Sequence, residues 1–350
     1  MLPIETGGPE RVACFGLRYF RRSHNYIIKD GQNNLVEGRS TEKIITFVPR
    51  NKNNDDMKHC LLVIALLLLA CTPRQTGQQA VQAATMSQMR FHCDGDTVRI
   101  NQLLMEGRES GLNEANALIE FYARKLLGTP YVAHTLEADK EVLTINIHEL
   151  DCLTFIETLY SLTRATLNGR YSWRDFAANI ENVRYRGGEM GDYSSRIHYI
   201  SEWIIDNHVR GNLVEVTPDL PHVDYMVKNI DYMTHHTDSY RQLKNDSAMV
   251  EKIRRYELRN HRFPYLKRSW LNDKGVKAAL RSGDFVSLVT KIEGLDVSHN
   301  GIIIVDEKGD PYLLDASMSG GKVMLESKPL FKYLEKSKTN IGVRVFRMMP

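Results

Sequence analysis

The rhythm of apolar positions changes once along the chain, near residue 282. Before it, the spacing is helical. Ala115, Leu118, Ile119, Tyr122, Leu126 and Leu127 recur at three- and four-residue steps, predicting a helix over 113–127 that Gly128-Thr129-Pro130 stops. A short β-like run follows at 141–147. Asp151 then stands as a candidate N-cap for a helix from Cys152 to about Ala165, with Leu153, Ile156, Leu159 and Tyr160 on one face. Further helices are predicted at 173–183 and 194–207, and 236–258 is charged and loosely patterned. From Ser282 onward, β-branched and aromatic runs at 284–292, 301–305, 312–315, 322–325 and 341–346 alternate with turn residues. Strands so closely spaced imply an antiparallel sheet. Helices first and strands second is an α+β layout with helices packed on the sheet. One domain is expected over 90–350, with 208–275 as an insertion or lobe.

The front of the chain departs from this pattern. Lys58 and His59 precede an uninterrupted apolar run from Cys60 to Ala70. About eleven residues are too few to cross a hydrocarbon core but suit the h-region of a signal peptide. The closing Leu68-Leu69-Ala70-Cys71 resembles a bacterial lipobox, which implies a signal peptide over 57–71 and a lipid on Cys71. Since such signals are N-terminal, translation is expected to begin at Met57, with 1–56 an upstream over-extension lacking sustained helical or alternating pattern. The other reading is a genuine extension followed by an apolar core helix at 60–70. Residues 72–89, rich in Gln, Thr and Ala, read as a flexible tether.

Composition narrows the functional classes. The 350 residues are 42% hydrophobic and 25% charged, values of an ordinary globular protein. The formal charge of +3 arises entirely before residue 72, and residues 72–350 hold equal numbers of basic and acidic side chains. No basic stripe dominates, so no nucleic-acid partner is expected. Of five cysteines, Cys14 and Cys60 fall in segments expected to be absent and Cys71 is the anchor. Cys93 and Cys152 remain, as a disulfide in an oxidising compartment or with one as a working thiol.

Cys152 opens a helix behind its N-cap, a setting that favours thiolate and hence a nucleophile, although a buried structural cysteine is the competing reading. A thiolate nucleophile needs a base that also protonates the departing amine. Among twelve histidines, His299 differs by opening the apolar strand 301–305. If 306–310 is a hairpin turn, Asp315 falls opposite His299 or within one register step, placed to orient the imidazole. The backbone N–H of Cys152 is a candidate oxyanion donor. His92 and Asp94 beside Cys93, His222 with Asp224, and His235-His236 lack the compact spacings of zinc sites, so no metal and no cofactor is expected.

Leu150-Asp151-Cys152-Leu153-Thr154-Phe155, Ser282-Gly283-Asp284-Phe285-Val286, Ser298-His299-Asn300-Gly301-Ile302 and Leu314-Asp315-Ala316-Ser317 together resemble the NlpC/p60 superfamily of papain-like cell-wall hydrolases. The amidase-like branch, first catalogued as a domain of unknown function, is matched further by residues 127–131, 149–152, 184–188 and 194–199. The resemblance covers about 115–320. It implies a papain-like fold in which the nucleophile helix packs on an antiparallel sheet. It implies an N-acetylmuramoyl-L-alanine amidase that cuts peptidoglycan fragments (muropeptides), with Cys152 as nucleophile and His299 as base. The family's third polar residue is usually His in the segment that here reads Leu-Asp-Ala-Ser, so Asp315 is a departure. Muropeptide carboxylates call for cations in the cleft, and Arg184, Arg186, Arg196 and His198 are the candidates, with Tyr131 and Tyr199 as stacking or hydroxyl partners. If Cys152 works, Cys93 stays unpaired. The expected location is the cell envelope, as a periplasm-facing lipoprotein of the outer membrane. Two other readings use the same residues: an endopeptidase cutting between D-Glu and the diamino acid of the stem, and a non-catalytic envelope-binding lipoprotein.

Overall fold

The computed structural model describes residues 88–349 continuously and, before them, the backbone of three strands. These are β1 (Tyr19–Arg22), β2 (Asn25–Lys29) and β3 (Leu35–Gly38), an antiparallel meander in a unit of its own, Met1–Arg74. The meander lies where the sequence showed no sustained pattern. The candidate signal segment 57–71, with Cys71, and the tether up to residue 87 lie outside the described residues.

In the second unit, β4 (Met89–Phe91) leads into α1 (Gly95–Glu109) and α2 (Ala115–Lys125). Strand β5 (Leu143–Ile145) pairs in parallel with β4 and feeds α3 (Cys152–Leu167), α4 (Trp173–Arg184) and α5 (Ile200–Val209). The predicted helix at 194–207 therefore starts later. Residues 193–195 form a separate 3₁₀ turn, and Asp192 caps it by accepting the Ser194 N–H at 3.0 Å.

The remaining strands are β6 (Leu213–Glu215), β7 (Val223–Ile230), β8 (Leu258–Lys267), β9 (Phe285–Thr290), β10 (Val297–Val305), β11 (Pro311–Ser317), β12 (Lys322–Pro329) and β13 (Asn340–Met348). They form one eight-stranded antiparallel sheet in the order β12-β11-β10-β9-β13-β8-β7, with β6 on β13. Segment 208–275 is thus continuous with the sheet rather than a separate lobe, because β8 pairs with β13 at Gly342 and Val343 and carries β7 on its outer edge. The segment between β7 and β8, loosely patterned in sequence, holds a helix at Ser247–Arg254.

Alternation along the central strands divides the core. Phe285, Val289, Ile302, Ile304, Leu314 and Phe346 join the helices in one buried cluster. Val286, Leu288, Ile303, Leu313, Val343 and Val345 build a second on the other face. A sheet buried on both faces explains why its strands read as continuous apolar runs. Helix α3 is buried nearly all round, from Thr154 to Ala165, and packs on β10 and β11. Among the described residues, no helix is long and apolar enough to cross a membrane.

Candidate active site

Cys152 owes its position to the cap before it. Asp151 Oδ1 accepts the N–H groups of Leu153 at 3.0 Å and Thr154 at 2.8 Å, while Thr154 Oγ1 accepts the Asp151 N–H at 2.9 Å. This reciprocal capping box fixes the first turn of α3. The cap uses the second and third amides of the turn and not that of Cys152. The thiol is free and half-buried.

His299 and Asp315 arrive on neighbouring strands. Ile302 pairs with Leu314, so one further step sets Gly301 opposite Asp315 and leaves His299 two residues along. The pair is therefore a diagonal one rather than directly opposed, still within reach of a long side chain. Gly301 makes the diagonal open. A Cβ there would meet Leu314 O at 2.7 Å, Leu313 Cδ1 at 2.8 Å and Asp315 Cβ at 2.9 Å. His299 Nε2 donates to Asp315 Oδ2, and the Cys152 sulfur lies near enough to act on the ring's charge. Burial opposes a charged ring here. The hydrogen bond to Asp315 and the nearby Cys152 sulfur, together with the charges of both, outweigh it and raise His299 from 6.5 to about 10.

Asp315 is fully buried and its Oδ1 has no hydrogen-bond partner. Burial and the nearby Asp315 charge raise Glu326, while burial, Asp315 and Glu326 push Tyr333 up to about 12. Asn300, next to the histidine, donates from Nδ2 to Cys152 Sγ at 3.9 Å, and its Oδ1 is held by Ser287 Oγ at 2.7 Å. Asn300 and Ser287 were not singled out in the sequence, although Asn300 sits inside the quoted motif. Tyr131 lies beside Cys152. Burial, with the charges of Cys152 and Asp151, pushes its hydroxyl up to about 12. It is pinned by its N–H to Gly321 O at 2.9 Å and by a bridge to Leu150.

The four expected cations point inward. Arg184 is buried, with Nε on Glu157 at 2.7 Å and Nη1 on Thr144 O at 2.9 Å. Arg196 is buried between Glu137 at 3.1 Å and Glu141 at 3.7 Å. Arg186 pairs with Glu202 and covers the Tyr256 ring at 3.4 Å. Burial, then the charge of Arg196, depresses His198 to about 3, so it is neutral, its Nε2 bonded to Tyr193 O. Tyr199 accepts the Met233 N–H at 2.8 Å and donates to Glu257 at 3.1 Å. A bridge between Tyr185 and Arg196 joins the two sequence motifs, which build one internal polar network. Only Tyr131 of the six borders the thiol. The Ser-Gly-Asp motif is likewise architectural. Asp284 binds Arg347 at 2.6 Å, and Gly283, at φ +82°, would press a Cβ onto Asn116 O at 2.2 Å.

His222 stacks on Trp270, and His235 and His236 bond backbone carbonyls of their own turn.

Known proteins resemble this chain over most of its length. The family model described as AmiA-like, N-acetylmuramoyl-L-alanine amidase-like, matches residues 122–343. An N-acetylmuramoyl-L-alanine amidase from Bacteroides uniformis is 34% identical, with TM-score 0.64, over 67% of this chain and 99% of that one. A structure titled a putative xylanase from Bacteroides fragilis is 36% identical, with TM-score 0.60, over 65% and 98% of the two chains. A Legionella pneumophila protein of family DUF1460 shares the fold at 21% identity and TM-score 0.57, over 72% of this chain and 95% of that one. No curated protein matches. The match spans well over half the chain and covers α3, β10 and β11 together: the chain belongs to the AmiA-like, N-acetylmuramoyl-L-alanine amidase-like family.

Proposed function

We propose that this protein is a cysteine amidase that hydrolyses the bond between the lactyl group of N-acetylmuramic acid and L-Ala in peptidoglycan fragments. The observation that carries the proposal is the line Cys152–His299–Asp315 at the start of α3. His299 holds its proton up to about pH 10 and stands as imidazolium beside the Cys152 sulfur, and loss of the thiol proton to solvent gives the attacking thiolate. The thiolate attacks the lactyl carbonyl carbon. The oxyanion forms near the Cys152 N–H, which Asp151 does not occupy, and near the protonated hydroxyl of Tyr131. Collapse breaks the C–N bond as imidazolium delivers its proton to the L-Ala nitrogen. His299 then takes a proton from water, whose oxygen attacks the acyl carbon, and collapse breaks the C–S bond, releasing the lactyl carboxylic acid and returning the thiolate beside the imidazolium. Asp315, like the usual third residue, fixes the ring's orientation, and as a carboxylate it favours the charged ring more strongly.

The test is mass spectrometry of products after the full chain meets an anhydro-muropeptide with a tetrapeptide stem. Free sugar and intact peptide are expected, and none from Cys152→Ala. Cleavage inside the stem would make it an endopeptidase, and no turnover on fragments or intact peptidoglycan would leave a binding protein. The envelope location belongs to the same proposal, supported by the basic, apolar and Leu-Leu-Ala-Cys sequence of 57–71. Labelled fatty acid should enter the protein in cells and be lost in Cys71→Ser.

A further inference from the structure

A second cluster of reactive side chains lies at the opposite end of the segment that leads into α3. Cys93, Asp96 and His148 present one sulfur, one carboxylate oxygen and one imidazole nitrogen, all within 4.8 Å of one another. They come from two stretches that are 52 residues apart, between Asp96 and His148, and the carboxylate itself joins them. Asp96 Oδ2 accepts the Cys93 N–H at 2.9 Å, and Oδ1 accepts the Ile147 N–H at 3.1 Å. Both donor-bearing turns are thereby tied to one fully buried carboxylate. Among the described residues its ion-pairing partner is His148, with Nε2 3.9 Å from Oδ1. Gly95 keeps the space between the donors clear: the point where its Cβ would stand is 3.5 Å from Cys93 Sγ and 3.6 Å from His148 Nε2.

We propose that Cys93, Asp96 and His148 bind a single zinc ion, with water completing a tetrahedral shell. One thiolate, one imidazole and one carboxylate form a donor set suited to a borderline-soft divalent cation. Tetrahedral zinc needs its donors roughly 3.3–3.8 Å apart, given metal–ligand bonds of about 2.0–2.3 Å. Asp96 is fixed by its two amides, so the small remaining contraction falls to Cys93 and His148, which are exposed and have rotamer freedom. Each carboxylate oxygen spends one lone pair on an amide and keeps another for the metal. On binding, the thiol proton goes to solvent and the buried negative charge gains a counter-ion. His148 stands four residues before Cys152, so the ion fastens the turn that precedes the capping box to the turn between β4 and α1.

The probe is cobalt(II), added to the full chain and followed by absorption, with zinc competition. Wild type should take up one equivalent and show a thiolate-to-cobalt charge-transfer band that zinc abolishes. Cys152→Ala should keep the band and Cys93→Ser should lose it. His148→Ala should weaken zinc binding by more than about 100-fold, beyond what loss of an outer-sphere partner costs. Zinc should also raise the unfolding midpoint of wild type and leave that of Cys93→Ser unmoved. A band that survives Cys93→Ser, or vanishes in Cys152→Ala, would overturn the proposal, as would no stoichiometric uptake by wild type. Both substitutions at 93 and 148 are at exposed positions, so circular dichroism should show unchanged folds. None of these readouts depends on amidase activity.

Discussion

Two charged clusters flank the same helix and have opposite characters. Around Arg184 and Arg196, cations and carboxylates face one another inside the protein, Glu157 with Arg184 and Glu137 and Glu141 with Arg196, and Glu157 Oε1, Glu137 Oε2 and Arg196 Nε make no hydrogen bond. Around Cys152, the histidine is held charged between an acid and a thiol, the acid keeps one oxygen without a partner, and the sulfur is half-exposed. The first arrangement spends its charge on holding the fold. The second leaves chemistry unspent where substrate can reach it. Neither buried charge nor an unpartnered polar atom marks a site by itself, since both clusters hold them; the accessible sulfur beside the charged histidine does.

The contrast breaks first at Asp315. Asp315→Asn should lower kcat/KM on the order of 10²–10⁴-fold and draw the alkaline limb of the pH profile down from about 10 toward 6.5, measured by product release across pH 6–11. A variant that kept both rate and profile would place the acid with the structural set. Next in size is Arg184→Met. It strands Glu157 without its cation and should cost about 3–5 kcal/mol of stability in urea unfolding, while activity per folded molecule stays within about threefold. Gly301→Ala sharpens the comparison from the backbone side. Crowding against Leu314 O and Asp315 Cβ should cost roughly 1–3 kcal/mol and reduce activity by parting the histidine from its acid. The smallest effect is on stability against pH. The folded-state value of His299 lies above the unfolded one, so its contribution is complete below about pH 6.5 and fades as pH rises toward 10. Wild type should therefore lose more stability than His299→Asn between pH 7 and pH 10.

Much of the fold was legible because its signals are local. The Asp151 cap, the helical spacing after Cys152 and the β-branched runs after Ser282 each depend on a few consecutive residues, and the elements formed where the pattern put them. Helix α1 escaped notice because polar residues interrupt its apolar positions, leaving Ile100, Leu103 and Leu104 as a narrow buried stripe. Strands β7 and β8 were hidden by Lys, Arg, Asn and His on a partly exposed outer edge, where the apolar run of a central strand is not required. In the site, the hairpin count brought His299 and Asp315 near each other but missed the two-residue diagonal, which depends on the register of Gly301. The arginines show the limit most clearly. Sequence gives a cation but not its partner, and Glu157, Glu137, Glu141 and Glu202 lie 16 to 59 residues from the arginines they bind. Cys93 was weighed only beside its neighbours His92 and Asp94, and His148 went unmarked for the same reason, since the fold supplies their proximity.

The wide separation of positions 152, 299 and 315 also governs when during synthesis the candidate site is assembled. Helix α3 and its cap form from neighbouring residues, so a chain still being made carries the thiol early. The imidazole and acid come from a ribbon near the far end, held in register by β9 and β12 on either side. Such long-range pairing is the slow part of folding. A half-finished or clipped chain therefore holds a cysteine without its histidine and acid, and the proposed amidase activity requires the last strands to be in place.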